Sequence, residues 1–319
     1  MGKIVVLDGY TENPGDLSWH ALGQLGELTV YERTTEHLLI ERMQGADYVY
    51  TNKVCISRAA LEACPTIKFI GVLATGFNMV DLAAAKEKGI TVTNIPTYGT
   101  NSVAQFVFAL LLEICHHVAH HSQAVRAGRW MQSQDWCFWD YPLIELADKT
   151  LGLWGFGRIG QATAKIAESF GMHVLAYDGN PQAMDKRLAR QVNLDELLAK
   201  SDVLSLHMPL TPETDGILNA ETIARMKNDV IIINTARGGL INERDMRAAL
   251  DGGKVAWYAA DTTRVEPILA DNPLLGAEHC IITPHIAWAP KESRQRLMST
   301  AVDNLRQFLA GKPINVVNS

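Results

Sequence analysis

Thr150-Leu151-Gly152-Leu153-Trp154-Gly155-Phe156-Gly157-Arg158-Ile159-Gly160 is the stretch on which the fold of this chain turns. An apolar strand runs into G-x-G-x-x-G, a helical pattern over 161–170 runs out of it, and the next strand ends at Asp178. In that setting Gly155 permits the tight turn, Gly157 lets a pyrophosphate approach the backbone, and Gly160 allows helix and strand to touch. Phe156, Arg158 and Ile159 fill out the loop, and the helix N-terminus supplies amide donors to the phosphates. Asp178 suits the ribose hydroxyls, and its charge opposes a 2′-phosphate, so NAD is expected over NADP. An S-adenosylmethionine site also uses a glycine loop and an acid; residues further along separate the two.

Around this motif, short β-rich runs alternate with helical patterns, the mark of α/β folds with parallel sheets. The second series reads as strands at 150–154, 173–177, 203–206, 230–234, 255–259 and 280–282. An earlier series at 4–7, 28–31, 48–51, 69–73 and 91–93 has no glycine fingerprint. Asn94-Ile95-Pro96-Thr97-Tyr98-Gly99 divides the two. The expectation is two Rossmann-like, doubly wound parallel-sheet domains with the active site in the cleft between them. Residues 1–99 and 287–319 would form a flavodoxin-like, substrate-binding domain, and residues 100–286 the NAD-binding domain. A final helix, opened by Pro290 and ended by Gly311, has no partner strand in the second series and should return to the first domain. A single long helix is expected over 102–127, stopped by Gly128 and packed between domains or subunits. Asn193 with Glu196 reads as a capping box, and Asn219 as the cap of a helix through Met226.

At 319 residues with 47% hydrophobic and 20% charged side chains, the chain can bury the cores of two domains. A net charge of -6 without a basic run argues against nucleic acid. The apolar stretch 103–115 is too short for a bilayer and is interrupted by Gln105 and Glu113. Five scattered cysteines without a C-x-x-C pair point to a reducing compartment, the cytoplasm.

Three reactive side chains each sit just beyond an apolar run: Arg237 after 230–236, Glu266 a short loop after 255–261, and His285 after 280–284. In an open parallel sheet, ligands bind beyond the carboxyl ends of the strands. A cation, an anion and a near-neutral base delivered to that one edge suggest a reaction site. Arg237 offers a planar, permanently charged fork suited to a carboxylate. His285 can give or take a proton near neutrality. Glu266, accepting from the other imidazole nitrogen, would fix its orientation. Taken singly, each has a structural alternative: a strand-end cap, a loop acid, a hydrogen-bonding imidazole. Their joint placement favours chemistry.

Asn234-Thr235-Ala236-Arg237-Gly238-Gly239, Asp261 with Glu266-Pro267, and Thr283-Pro284-His285 follow the dinucleotide motif in the order that resembles the D-isomer-specific 2-hydroxyacid dehydrogenases. Ala74-Thr75-Gly76-Phe77-Asn78, Asn101-Ser102-Val103-Ala104 and His207-Met208-Pro209-Leu210-Thr211 extend the resemblance along the whole chain. The run 283–290 looks most like the family's glycerate dehydrogenases, or hydroxypyruvate reductases. The resemblance implies NAD as cofactor and a small 2-keto acid as substrate, with hydroxypyruvate or glyoxylate giving D-glycerate or glycolate. It also implies catalysis by Arg237, Glu266 and His285, with a second hold on the carboxylate from Thr75 and Gly76. The cofactor pocket would be lined by His207, Met208, Pro209, Thr211, Thr235, Ala236, Arg237, Asp261, His285 and Ala287, with Asp261 on the nicotinamide carboxamide.

Thr262-Thr263-Arg264 departs from the apolar residues usual after that Asp, which puts the packing of this loop in question. Other readings are a reductase of a different 2-keto acid and an NAD-sensing corepressor or scaffold. A 3-phosphoglycerate dehydrogenase is less expected, because the regulatory domain often appended there would follow the last helix, and formate dehydrogenases resemble a pattern with Gln at the Glu266 position. His116, His117, His120 and His121 have metal-compatible spacing but no acidic third ligand, so no metal is expected. The aromatic cluster Trp130, Trp136, Phe138, Trp139 and Tyr141 matches the family's dimerisation arm. A homodimer through 100–145 is therefore expected, with Trp139 or Phe138 reaching the neighbouring subunit's substrate.

Overall fold

A computed structural model of the chain describes residues 2–180, 185 and 187–319. The chain forms two compact units, Met1–Gly99 with Trp288–Ser319, and Thr100–Ala287. In the first, β1 (Lys3–Val6), β2 (Glu27–Val30), β3 (Tyr48–Thr51), β4 (Phe69–Val72) and β5 (Thr91–Thr93) make a parallel sheet in the order β2-β1-β3-β4-β5. The winding reverses at β1, which opens a crevice beyond the carboxyl ends of β1 and β3. Ile4, Val5, Val49, Tyr50, Phe69 and Ile70 are fully buried, as strands covered on both faces require. The closing helix, Lys291–Leu309, lies on one face and packs Leu297 and Leu305 among Tyr48, Tyr50 and Phe69. The Tyr50 hydroxyl donates to the Ala301 carbonyl at 2.9 Å, tying sheet to helix.

The second unit contains β6 (Thr150–Trp154), β7 (His173–Tyr177), β8 (Arg190–Gln191), β9 (Val203–Leu206), β10 (Val230–Asn234), β11 (Val255–Ala260) and β12 (Cys280–Ile282). Their order is β12-β11-β10-β9-β6-β7-β8, all parallel. Winding reverses between β6 and β9, so the glycine loop after β6 occupies the switch point where dinucleotides bind.

Two local expectations need correction. The helix expected over 102–127 is two helices, Thr100–His116 and Val118–Arg126, bent by 53°. His117 adopts a left-handed backbone (φ 46) at the break, and its buried ring packs at a tilt against Tyr141 and Trp257, with centroids 4.2 and 5.2 Å away. The buried face of Thr100–His116, including Val107, Leu111 and Ile114, belongs to the second unit's own core against the helix Arg158–Ser169. The capping box lies at Asn219 rather than Asn193: Asn219 and Thr222 cap each other reciprocally, and that helix ends at Ala224. Asn193 does accept from the Glu196 amide, but the Glu196 carboxylate turns to Arg190 and Lys200 instead of reaching back. Among the described residues no single helix is long and apolar enough to cross a membrane.

Tyr50→Phe should cost about 1 kcal/mol of stability in urea unfolding, the worth of one buried hydrogen bond, while turnover is unchanged. A cost near zero would mean the Tyr50–Ala301 bond does not join the helix to the sheet.

Candidate active site

The three glycines of the loop differ in what surrounds them. A Cβ on Gly155 (φ +95) would sit 2.6 Å from the His207 carbonyl carbon, and one on Gly160 would sit 2.6 Å from the Gly155 oxygen. Backbone packing therefore demands glycine at both. A Cβ on Gly157 would meet nothing within 4 Å. Gly157 caps the twelve-residue helix Arg158–Ser169, so open space lies at a helix N-terminus, where a phosphate is favoured. Asp178, just past β7, accepts from the amides of Phe156 (2.6 Å) and Asn180 (2.7 Å), which fixes an acid beside the loop.

His207, just past β9, has Nε2 at 3.0 Å from Ser205 Oγ, and burial pushes its imidazole down to about 4, so it stays neutral. Next to it, Met208 packs on the core and Thr211 closes a turn with Thr214. Thr235 Oγ1 is buried with no partner in the protein. An open helix N-terminus, an adjacent acid and an orphaned hydroxyl fit a nicotinamide dinucleotide.

β10, β11 and β12 are parallel neighbours, so the segments after them leave the sheet at one edge. Arg237 follows β10; Asn234 takes the Ala236 amide on Oδ1 (3.0 Å) and gives Nδ2 to the Arg237 carbonyl (2.9 Å), an Asx-type turn that presents the arginine. A Cβ on Gly238 would lie 2.0 Å from the Thr263 carbonyl carbon, so the loops after β10 and β11 are in direct contact. The Thr263 amide donates to Glu266 Oε1 at 3.1 Å, and Glu266 Oε2 lies 2.7 Å from His285 Nδ1. This settles the Thr262-Thr263-Arg264 loop: Thr263 steadies Glu266, and Arg264 is tied to Asp215 and to the Gly239 carbonyl.

His285 itself has a left-handed backbone (φ 56), a costly conformation for a non-glycine residue. Asp261, only 1% exposed, holds it there. One carboxylate oxygen accepts from Thr283 Oγ1 (2.6 Å) and the Ile286 amide (2.9 Å), the other from the Ala287 amide (2.8 Å). The Asp261 carboxylate thus clamps the turn on both sides of His285, a role that sequence reasoning missed. A carboxylate has about four acceptor positions, so three donors leave room for another. Ala287 contributes its amide to this clamp and its methyl to the interior.

In the first unit, Thr75 and Gly76 follow β4. Thr75 Oγ1 donates to the Ile95 carbonyl (2.8 Å), and Asn94 Nδ2 donates to the Thr75 carbonyl (2.8 Å).

The histidines on the bent helix pair serve the segment that follows. His120 Nε2 lies 2.6 Å from Asp140 Oδ2, Arg129 pairs with the same carboxylate, and Arg129 also covers the Phe138 ring. Among the described residues no group of His, Cys, Asp and Glu is arranged to hold a metal. Trp136 and Trp139 stand out at 87% and 63% exposed.

Asp261→Asn, with one acceptor oxygen in place of two, should lower kcat by about tenfold to a hundredfold, with a native far-ultraviolet dichroism spectrum. Wild-type kcat in this variant would mean the His285 turn does not need the clamp.

The sequence model for the D-isomer specific 2-hydroxyacid dehydrogenase, NAD binding domain, matches residues 108–287. A hydroxypyruvate reductase of Blautia hydrogenotrophica is 61% identical over 321 residues, covering 99% of each chain. A glycerate dehydrogenase of Methylorubrum extorquens is 42% identical, covering 92% of each. The apo-structure of D-lactate dehydrogenase from Escherichia coli superposes with a TM-score of 0.83 at 29% identity over 99% of both chains. With this match over more than half its length and these full-length relatives, the chain belongs to the D-isomer specific 2-hydroxyacid dehydrogenases, and residues 108–287 are its NAD-binding domain.

Proposed function

We propose that this enzyme uses NADH to reduce hydroxypyruvate to D-glycerate, with glyoxylate as a second substrate giving glycolate. The observation that carries this reading is the 2.7 Å contact between His285 Nδ1 and Glu266 Oε2, at the strand edge that also presents Arg237. Similarity to a hydroxypyruvate reductase and a glycerate dehydrogenase supports the choice of keto acid. Bound NADH supplies the hydride. Arg237 pairs with the substrate carboxylate and steadies the charge that grows on the carbonyl oxygen. Glu266 accepts from Nδ1–H, so Nε2 gives its proton to that oxygen, and in the oxidative direction takes it back.

The amides of Thr75 and Gly76 are the proposed second hold on the carboxylate; their loop is pinned at both Thr75 and Asn94, which suits a rigid grip. Asp178 is proposed for the ribose hydroxyls and the orphaned Thr235 hydroxyl for the cofactor. The remaining acceptor position of Asp261 is proposed for the carboxamide. The exposed Trp136, Trp139 and Met131 support a homodimer through the 100–145 segment, with Trp139 reaching the partner's substrate. Five free cysteines support a cytoplasmic setting.

NADH oxidation with a panel of 2-keto acids tests the activity: hydroxypyruvate should give the highest kcat/KM, and larger aliphatic acids less. Because reduction consumes a proton and oxidation releases one, rising pH should slow the first and favour the second. Tight NADH binding without turnover of any keto acid would instead favour a corepressor or scaffold.

His285→Gln should lower kcat by about 10²- to 10⁴-fold and leave NADH affinity intact, whereas loss of NADH binding would displace His285 from the proton-transfer role. Trp139→Ala should raise KM with the dimer intact; unchanged kinetics would remove Trp139 from the neighbouring site.

A further inference from the structure

One buried acid of the first unit has no part in the chemistry above. Glu12 lies on the segment after β1, beside the crevice where the sheet reverses, and its side chain is fully buried. Asn52, the residue after β3, donates Nδ2 both to Glu12 Oε1 and to the Leu73 carbonyl (2.8 Å). Glu12 Oε2 has no hydrogen-bond partner. Leu73 leads directly into Ala74-Thr75-Gly76. The neighbouring Asp8 is served differently: its carboxylate accepts from the amides of Asn52 (2.8 Å), Lys53 (2.6 Å) and Val54 (3.1 Å). Two acids therefore address one loop, one served by three backbone donors and the other sealed in with a single donor.

We propose that Glu12 is a positioning residue: it holds the Asn52 amide, and through it the Leu73 carbonyl, so that the Thr75 and Gly76 amides stay set for the substrate carboxylate. This rests on the reading of Thr75 and Gly76 as that grip.

The surroundings of Glu12 explain the neutral form. Burial, and after it the Asp8 charge, push its carboxyl up to about 8, against weaker pulls from Asn52, Lys53 and Arg294. Arg294 does not neutralise it. Its guanidinium is committed to Asp16 (2.8 and 2.7 Å) and to the Ala289 carbonyl (2.8 Å), and it meets Glu12 only at the backbone oxygen (3.0 Å). Lys291 and Glu292 act on that Arg294–Asp16 pair. Ionising Glu12 would leave a buried anion with one donor, and Asn52 is the group able to respond. Drawn toward the anion, its Nδ2 leaves the Leu73 carbonyl. The other anchors of this stretch stay in place: Leu73 N to the Thr51 carbonyl, Ile95 N to the Ala74 carbonyl, Thr75 Oγ1 to the Ile95 carbonyl and Asn94 Nδ2 to the Thr75 carbonyl. The disturbance is then local to the loop and falls on substrate binding.

The test compares wild type, Glu12→Gln and Glu12→Ala as full-length enzyme with saturating NADH, measuring KM and kcat for hydroxypyruvate on both sides of pH 8. Glu12→Gln, a permanently neutral counterpart, should match wild-type KM below about pH 8. Above it, wild-type KM should climb away from that of Glu12→Gln, while the ratio of their kcat values stays constant. Glu12→Ala should raise KM about tenfold at every pH, with NADH affinity unchanged. Should that variant not fold, the comparison with Glu12→Gln still decides.

Stability gives a second readout. The folded carboxyl keeps a proton that the unfolded chain releases, so wild type should lose stability relative to Glu12→Gln as pH rises from 4.5 to about 8. Superimposable KM profiles for wild type and Glu12→Gln, or wild-type KM in a folded Glu12→Ala, would overturn the proposal. If those results came while Arg237→Lys still raised KM, the Glu12 role alone would fall. If wild type reduced no 2-keto acid, the functional reading would fall and take this role with it.

Discussion

A carboxylate almost cut off from water, Asp261, converts the end of a strand into a usable edge. It gathers three donors from the segment 283–287 and so keeps His285 in a left-handed backbone conformation. A non-glycine residue adopts that conformation at a cost of order 1–3 kcal/mol, and only when its surroundings over-determine it. The Thr283 hydroxyl and the amides of Ile286 and Ala287 supply that determination. With the backbone fixed, the contact from Glu266 orients the imidazole.

The loops that carry the three reactive groups are also held by each other. Gly238 leaves no room between the segment after β10 and the Thr263 backbone, and the Thr263 amide in turn steadies Glu266. Arg237 and Glu266 are thus placed by rigid contact between neighbouring loops at one end of one sheet. Such preorganisation is what electrostatic catalysis requires, because donors and charges then need no rearrangement when charge develops on the substrate.

The sequence made much of this readable in advance, for definite physical reasons. Strands such as 230–234 are buried on both faces, so they are uninterrupted apolar runs, and the reactive residues stand out at their ends. The glycine loop is legible because packing against His207 and Gly155 tolerates nothing larger at its first and third positions. What escaped notice depends on partners far away in the chain. The helix break at His117 is decided by Trp257 and Tyr141, and helical periodicity runs straight through it. The part played by Asp261 depends on amides more than twenty residues downstream, whereas the Asn193-x-x-Glu196 spacing promised reciprocity that Arg190 and Lys200 took away. Glu12 carries no motif at all. Its environment is created by Asp8, Asn52 and the closing helix, and only their convergence marks it.

The central claim is that Glu266 determines which imidazole nitrogen of His285 exchanges a proton with the substrate. Nitrogen-15 NMR of the enzyme with labelled histidine, assigned with a His285 variant, reads the tautomer and so measures this directly. The expected result is a neutral His285 that carries its proton on Nδ1, facing Glu266, and leaves Nε2 bare. A neutral His285 protonated at Nε2, with Nδ1 bare beside Glu266, would contradict it.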